Sequence, residues 1–523
     1  MSDDNSEITL PTLRDAIAES VAPSGLQCTI IFHPCVERIG QCAQLGLEKN
    51  THTLGRQTPL FGSGSGSETG PSPLEDPYIS RHALTLTIKD DGVLLQRAPS
   101  ASRCRVAGDE LLEPLFVDNQ RLEAGLPLAL SHTVALVLRR TSVASSKNPV
   151  TLDSSLLGSS AVMVRLREDV MRAANSDSDV LIRGETGVGK ELVAQAVHRN
   201  SPRSRGPLVS VNMAAVPALL AGAALFGSTK GAFTGADKSR PGYFQEAQGG
   251  TLFLDEVGDT PEEVQPLLLR ALQQREIQVV GGASRKVDVR VISATDAQLE
   301  GSSCTFKSAL RHRLAAIELR VPSLAEHPED IGELLLHFLS RACTREGRVG
   351  LLPDAQSDAR TLARWADLFH RFACYHWPGN VRQLENFAGQ VAVASEHELI
   401  VPAPVAAEIY RSKSRAKAAT EETVNTAARQ RKPGEITEAD FIHAMELGRF
   451  EIAAVADELG VSRRSVYRRI DASARFKRAS EIPMKDIDKA LASCGGRLGE
   501  AALNLEISAS GLRQRLRSAR SPA

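Results

Sequence analysis

Aromatic side chains are scarce in this chain: 15 Phe, 5 Tyr and 2 Trp supply only 4% of its 523 residues. That scarcity argues against a protein that grips single strands by stacking bases on rings. No stretch approaches the ~20 apolar residues that a membrane-spanning helix needs, so no membrane association is expected. The opening residues, MSDDNSEITL, are acidic and lack the apolar core of a signal peptide. The 8 cysteines form no CxxC pair and no Cys/His zinc spacing. Cys28, Cys35 and Cys42 recur at a regular interval, but the residues between them read as strand and turn. Buried or incidental thiols in a reducing cytoplasm are the expectation. Net charge is also lacking: 62 Lys and Arg against 63 Asp and Glu leave -1. Any nucleic-acid contact must therefore come from a local basic surface.

The chain is too long for one hydrophobic core, and about three or four domains are expected. Residues 25–140 hold short apolar strands (CTIIF, LTLTI, GVLLQ, LPLAL, VALVLRR) separated by turn residues, which predicts an all-β sandwich. A Gly/Ser-rich loop begins at Gly62 within it, and 141–152 reads as a linker. From 153 to 325, apolar β runs (DVLIRG, PLVSVN, GTLFLDE, VRVISAT) alternate with amphipathic helices, which predicts an α/β domain on a parallel sheet. Residues 326–403 are helical by period and read as a lid on that sheet. A polar, charged linker follows at 405–435. The tail, 436–517, repeats itself at an offset of 46 residues: Ala444 meets Ala490, Ala456 meets Ala502, Leu459 meets Leu505, and Ile470 meets Leu516. An all-α unit present twice, at 439–475 and 485–517, is expected.

Chemistry enters at Gly184-Glu185-Thr186-Gly187-Val188-Gly189-Lys190-Glu191. This run follows a strand and opens a helix, the context of a phosphate-binding loop. Glycines let backbone N–H groups approach phosphate, and the helix N-terminus favours its charge. Lys190 would reach the outer phosphates of ATP. Glu191 stands where the general pattern has Ser or Thr. Downstream, the apolar strand GTLFLDE ends in Asp255 and Glu256. Two carboxylates at a buried strand tip are costly without a cation or substrate beside them. Asp255 is the expected magnesium residue, and Glu256 the residue that orients and polarises the attacking water.

These residues resemble one family, the bacterial sigma-54-dependent activators, a branch of the AAA+ ATPases. The resemblance spans about 153–400. Its most specific piece is Gly231-Ala232-Phe233-Thr234-Gly235-Ala236, preceded by Leu225-Phe226-Gly227. In this family that GAFTGA sequence tips a mobile loop that touches the sigma factor. The resemblance also implies roles for Asn212, which restrains the catalytic Glu, and Thr295, which senses the γ-phosphate. It implies that Arg313 is inserted into a neighbouring subunit's site and that Arg382, in Trp377-Pro-Gly-Asn-Val-Arg, is a sensor on the lid. An arginine supplied in trans implies a homo-oligomer, from a dimer up to a hexameric ring. The chain departs from the family pattern at Lys307, at Gly222-Ala223-Ala224, at Val279 and at Asp296, where the family usually has Asn.

The tail segment EIAAVADELGVSRRSVYRRI resembles a Fis-type helix-turn-helix that binds double-stranded DNA. Its second helix carries Arg463, Arg464, Tyr467, Arg468 and Arg469, and such a helix lies in the major groove. In the second copy Glu506 replaces the turn glycine. At the other end, Leu54-Gly55-Arg56 and Ile79-Ser80-Arg81-His82 resemble the forkhead-associated fold, a sandwich that binds phosphothreonine. Arg56 and Ser80 would contact the phosphate, and His82 would brace a loop. The expected partners are an upstream DNA site, the sigma-54 RNA polymerase and a phosphothreonine protein. The alternative is a DNA-binding regulator in which ATP controls assembly only.

Overall fold

The structure is a computed structural model. It describes residues 24–46, 49–62, 70–142, 156–232, 237–297, 299, 305–354, 356–410, 438–447, 450–459, 463–473, 475–478, 481–494 and 498–520. The chain separates into two compact units, Met1–Tyr410 and Arg411–Ala523.

The first unit begins with a sandwich of two antiparallel sheets. One has the order β2-β1-β10-β9-β6-β7 and the other β3-β4-β5-β8. Its long strands are β1 (Ser24–Phe32), β4 (Leu84–Lys89), β5 (Gly92–Arg97), β9 (Leu126–Leu130) and β10 (Val134–Ser142). The shorter ones are β2 (Cys42–Leu45), β3 (Thr51–Leu54), β6 (Cys104–Val106), β7 (Asp109–Glu110) and β8 (Leu115–Asp118). The expected sandwich is present, but it is not purely β. Asp118 accepts a hydrogen bond from the Arg121 N–H and starts a short helix, α1 (Asn119–Ala124).

Next comes a five-stranded parallel sheet in the order β12-β13-β16-β11-β17. The strands are β11 (Val180–Arg183), β12 (Leu208–Asn212), β13 (Thr251–Asp255), β16 (Arg290–Thr295) and β17 (Ile317–Arg320). A two-stranded ribbon, β14 (Glu276–Gln278) and β15 (Ser284–Lys286), stands apart. Thr251, Leu252, Phe253 and Leu254 are all buried, as a central strand covered on both faces requires. Flanking helices include α2 (Ala161–Ala174), α3 (Lys190–Arg199), α4 (Ala218–Phe226), α5 (Tyr243–Glu246), α6 (Gln265–Gln274) and α7 (Ser308–Leu314).

The lid follows as α8 (Ile331–Arg345), α9 (Ala359–Ala373) and α10 (Asn380–Ala394). In α9, Trp365, Leu368, Phe369 and Phe372 recur at helical spacing and face one core. Asp358 caps the helix by accepting from the Thr361 N–H at 2.8 Å. Removing that cap would cost about 1 kcal/mol.

The second unit contains two three-helix bundles. The first is α11 (Glu438–Leu447), α12 (Ile452–Leu459) and α13 (Arg463–Ala472). The second is α14 (Met484–Ser493), α15 (Leu498–Asn504) and α16 (Ala509–Arg520). Each helix of the second begins 46 residues after its counterpart: Glu438 and Met484, Ile452 and Leu498, Arg463 and Ala509. Each bundle keeps its own apolar core.

Candidate functional site

A glycine-rich turn joins β11 to α3. Gly187 and Gly189 have φ of 83° and 98°, values that side chains with a Cβ avoid. Gly189 stands directly before α3, so the first N–H groups of that helix open onto the turn. Lys190 is buried, and its Nζ donates to the Gly184 carbonyl at 3.0 Å. Nζ also lies 3.8 Å from Oε1 of Glu256. Val188 is buried beside it, while Glu185, Thr186 and Glu191 are exposed.

The sheet order places β16 between β11 and β13, so Thr295 and Asp296 enter the same site. Thr295 is buried; its carbonyl accepts from the Gly184 N–H at 3.3 Å and its Oγ1 from the Ala297 N–H at 3.1 Å. Asp296 accepts from the Thr186 hydroxyl at 2.5 Å. That bond holds its carboxyl below the usual carboxylate range. Glu256 has the left-handed φ of 49° at the tip of β13. Burial pushes its carboxyl up; Lys190 pulls it down, and Asp296 and Asp255 push it further up. Asn212 pairs with Asp255 in the β12–β13 register. Its side chain accepts from the Ala214 N–H at 2.9 Å.

The lid closes on this loop through residues at the start of α10. The Arg382 N–H donates to the Gly187 carbonyl at 3.1 Å. A Cβ on Gly187 would lie 2.5 Å from the Gly379 carbonyl oxygen, so the approach requires glycine. Asn380 is fully buried at a φ of 51°. Its Nδ2 donates to Glu185 Oε2 at 2.9 Å and to the Thr186 carbonyl at 3.1 Å. Its Oδ1 accepts from the Leu324 N–H at 2.9 Å. Sequence reasoning missed Asn380, although it stands two residues from Arg382 in the same motif.

Arg313 lies elsewhere. Its guanidinium donates to the Leu272 carbonyl and stands 3.9 Å from Asp179, at the start of β11. The phosphate-loop turn leaves from the other end of that strand. Gly231 (φ 79°) and Ala232 are described at the base of their loop, whose stem bridges Ser228 to Arg240 and Val280. Phe233, Thr234, Gly235 and Ala236 lie outside the described residues.

In the sandwich, the Arg56 N–H donates to the Ser80 carbonyl at 3.0 Å, so the two predicted phosphate residues meet. Ser80 and Ser102 exchange two hydrogen bonds between N–H and Oγ, at 2.8 and 3.2 Å. That pair braces the loop; His82, expected to do so, is exposed. The described cysteines are not bonded to one another, and burial pushes the Cys104 thiol up to about 11.

In the tail, Tyr467 and Arg468 are exposed on α13. Arg469, which the sequence groups with the DNA-binding residues, is turned toward its own bundle. Its guanidinium lies 5.5 Å from the Phe441 ring centre and 3.9 Å from Glu438, so it is engaged within its own bundle. Tyr467 is covered on one face by Arg478, 5.0 Å from its ring centre. The side chains of Arg463 and Arg464 lie outside the described residues. Among the described residues no helix is long and apolar enough to cross a membrane.

Residues 156–320 match the Sigma-54 interaction domain, and 325–422 match the AAA+ ATPase lid domain. The transcriptional regulatory protein ZraR of Salmonella typhimurium is 41% identical over 345 residues, 63% of this chain and 73% of that one. ZraR of Escherichia coli is 42% identical over 297 residues, and there the chain spans only 63% of the relative's length. The DNA-binding transcriptional regulator NtrC of Escherichia coli is 42% identical over 262 residues, 50% of this chain and 54% of that one. A crystal structure of NtrX from Brucella abortus aligns at 28% identity over 70% of this chain and 69% of that one. Its TM-score of 0.41 is too low to transfer any placement of one domain on another.

Proposed function

Because this chain belongs to the sigma-54-dependent activators, we propose that it is a cytoplasmic ATPase that assembles as a ring and drives open-complex formation by the sigma-54 RNA polymerase. The observation that carries the reading is the meeting of Lys190, on the phosphate loop, with Glu256, at the tip of β13. ATP binds with its phosphates over the loop N–H groups and Lys190. Glu256, held basic enough by burial, accepts a proton from the attacking water. Asp255, at the strand tip, suits magnesium, a hard cation that takes oxygen ligands. Among the described residues no three His, Cys, Asp or Glu side chains form a ready metal cluster. When bound, magnesium would neutralise charge on the phosphates.

Arg313, turned away from its own phosphate loop, serves a neighbouring subunit, and Arg382 reads the nucleotide from the lid. Phe233 and Thr234, in the GAFTGA loop, contact the sigma factor. The tail binds an upstream DNA site through Arg463, Arg464 and Arg468, and the sandwich takes a phosphothreonine protein at Arg56 and Ser80. The second reading, in which ATP controls assembly alone, is favoured by the small residues Gly222, Ala223 and Ala224 in α4, ahead of Leu225. One assay separates the two: ATP-dependent open-complex formation at a sigma-54 promoter, with T234A as control. Open complexes with wild type and none with T234A support the activator; ATP hydrolysis without open complexes supports the second reading. Loss of phosphothreonine-peptide binding in R56A, and of site-specific DNA affinity when Arg463 and Arg464 are neutralised, tests the two end domains.

A further inference from the structure

β9 and β10 carry apolar residues without a break, Leu126–Leu130 and then Val134–Leu138, and every one of them is buried. A sandwich sheet facing water would alternate apolar with polar. In β10, Val134, Leu136 and Leu138 face the sandwich interior, whereas Ala135 and Val137 join a second core with Ile31 and Phe32 of β1. That second core is the lid: it contains Ile331, Leu335, Trp365, Phe369 and Leu384. Phe32 and Phe369 approach to 5.0 Å between ring centres. Arg105 reaches Asp367 at 2.7 Å and Arg139 reaches Glu329 at 2.8 Å. The backbones themselves touch. A Cβ on Gly332 of α8 would lie 2.5 Å from the Ile31 carbonyl oxygen, and its three nearest atoms all belong to the Ile31 backbone. A dry, close-packed join of this kind transmits displacement rather than absorbing it.

The same lid core contains α10, and α10 opens with Asn380. Asn380 spends both donors of its carboxamide on the phosphate loop and its acceptor on Leu324, at the entry to the lid. It bonds the loop backbone at Thr186 and the side chain of Glu185.

We propose that the sandwich and the lid turn as one body, and that Asn380 is the positioning residue through which that body sets the phosphate loop. The proposal rests on the reading of this loop as a nucleotide site. A ligand on the Arg56–Ser80 side of the sandwich and a nucleotide on the loop are then coupled, and each changes the other's affinity by the same factor. The sandwich is thus a part of the nucleotide machinery rather than a sensor on a tether.

The test uses the full chain with G332A and N380D, singly and together. G332A preserves the lid, because Ala favours a helix over Gly by about 1 kcal/mol, while its methyl group pushes Ile31 away. N380D keeps the size and the left-handed tolerance of Asn but presents a carboxylate to Glu185. Two quantities are read: hydrogen exchange in β1 and β10, and affinity for a fluorescent ATP analogue. G332A should speed exchange in both strands and change nucleotide affinity about fivefold or more. In the N380D background the exchange effect should persist and the affinity effect should vanish. The proposal is overturned if G332A leaves exchange as it was, if exchange rises with no change in affinity, or if the two substitutions act independently on affinity. Should N380D not fold, the G332A pair of measurements decides alone. ATP turnover is measured alongside: wild type that binds the analogue but never hydrolyses ATP sinks the ATPase reading and leaves the coupling result standing.

Discussion

Arg139, near the end of the last sandwich strand, donates two hydrogen bonds to the carboxylate of Glu329, at 2.8 and 3.0 Å, across the join to the lid. Glu329 is almost wholly enclosed. Burial pushes its carboxyl up, and Arg139 opposes that rise. Removing one partner would strand a buried charge. R139A should therefore destabilise the first unit by about 3 kcal/mol or more. Restoring neutrality with R139A/E329Q should recover part of the loss. Urea unfolding followed by tryptophan fluorescence measures both, since Trp365 and Trp377 lie in the same core. A loss smaller than about 0.5 kcal/mol in R139A would mean that the pair is no more than a surface contact.

Glu333 sits on the same seam, between Gly40 of the sandwich and Ser159, whose hydroxyl donates to it. Burial raises its carboxyl to about 7; Ser159 and Arg167 oppose the rise and Asp330 adds to it. The folded chain holds this proton more tightly than the unfolded chain does. Stability conferred there is present at low pH and is lost as pH rises from the ordinary carboxylate range through about 7. The loss amounts to about 3 kcal/mol at most. E333Q should flatten the stability profile from the ordinary carboxylate range up to about pH 7. An unchanged slope in E333Q thermal melts would assign the effect to other groups.

Glu256 needs its deprotonated form to accept a proton. Its raised carboxyl places the acid limb of the ATPase rate above the ordinary carboxylate range, so activity falls as pH drops through that raised value. Asp296 is one source of the rise. D296N should move the acid limb to lower pH, and E256Q should lower turnover by about 100-fold or more with ATP binding retained. Steady-state rates across pH, with a binding titration for E256Q, check both. A limb that stays in place in D296N would remove Asp296 from the site's electrostatics.

Arg313 is turned away from its own phosphate loop: it donates to Leu272 of α6 and stands near Asp179, at the opposite end of β11 from the loop. R313A and K190A should each be nearly inactive in hydrolysis, and mixing them should restore part of the rate. A K190A subunit can lend its Arg313 to an R313A subunit whose phosphate loop is intact. An arginine of this kind is worth about 10³–10⁵ in rate. Mixtures that stay as inactive as their components would place the role of Arg313 within a single chain.

The phosphate loop, the carboxylate-tipped strand and the repeated tail could be read along the chain, because each is written in residues close in sequence. Glycine spacing, a strand ahead and a helix behind sufficed for Lys190; a constant offset sufficed for the two bundles. What the tertiary structure decided are meetings across long separations. Asn380 reaches Glu185 over 195 residues, and Arg139 reaches Glu329 over 190. The apolar run of β10 was legible as a sandwich strand, but the cover on its second face was not. The run could not name that cover, because apolar burial is non-directional and accepts any dry surface of the right shape. Only the packing of Gly332 onto Ile31, and of Phe32 onto Phe369, selected the lid.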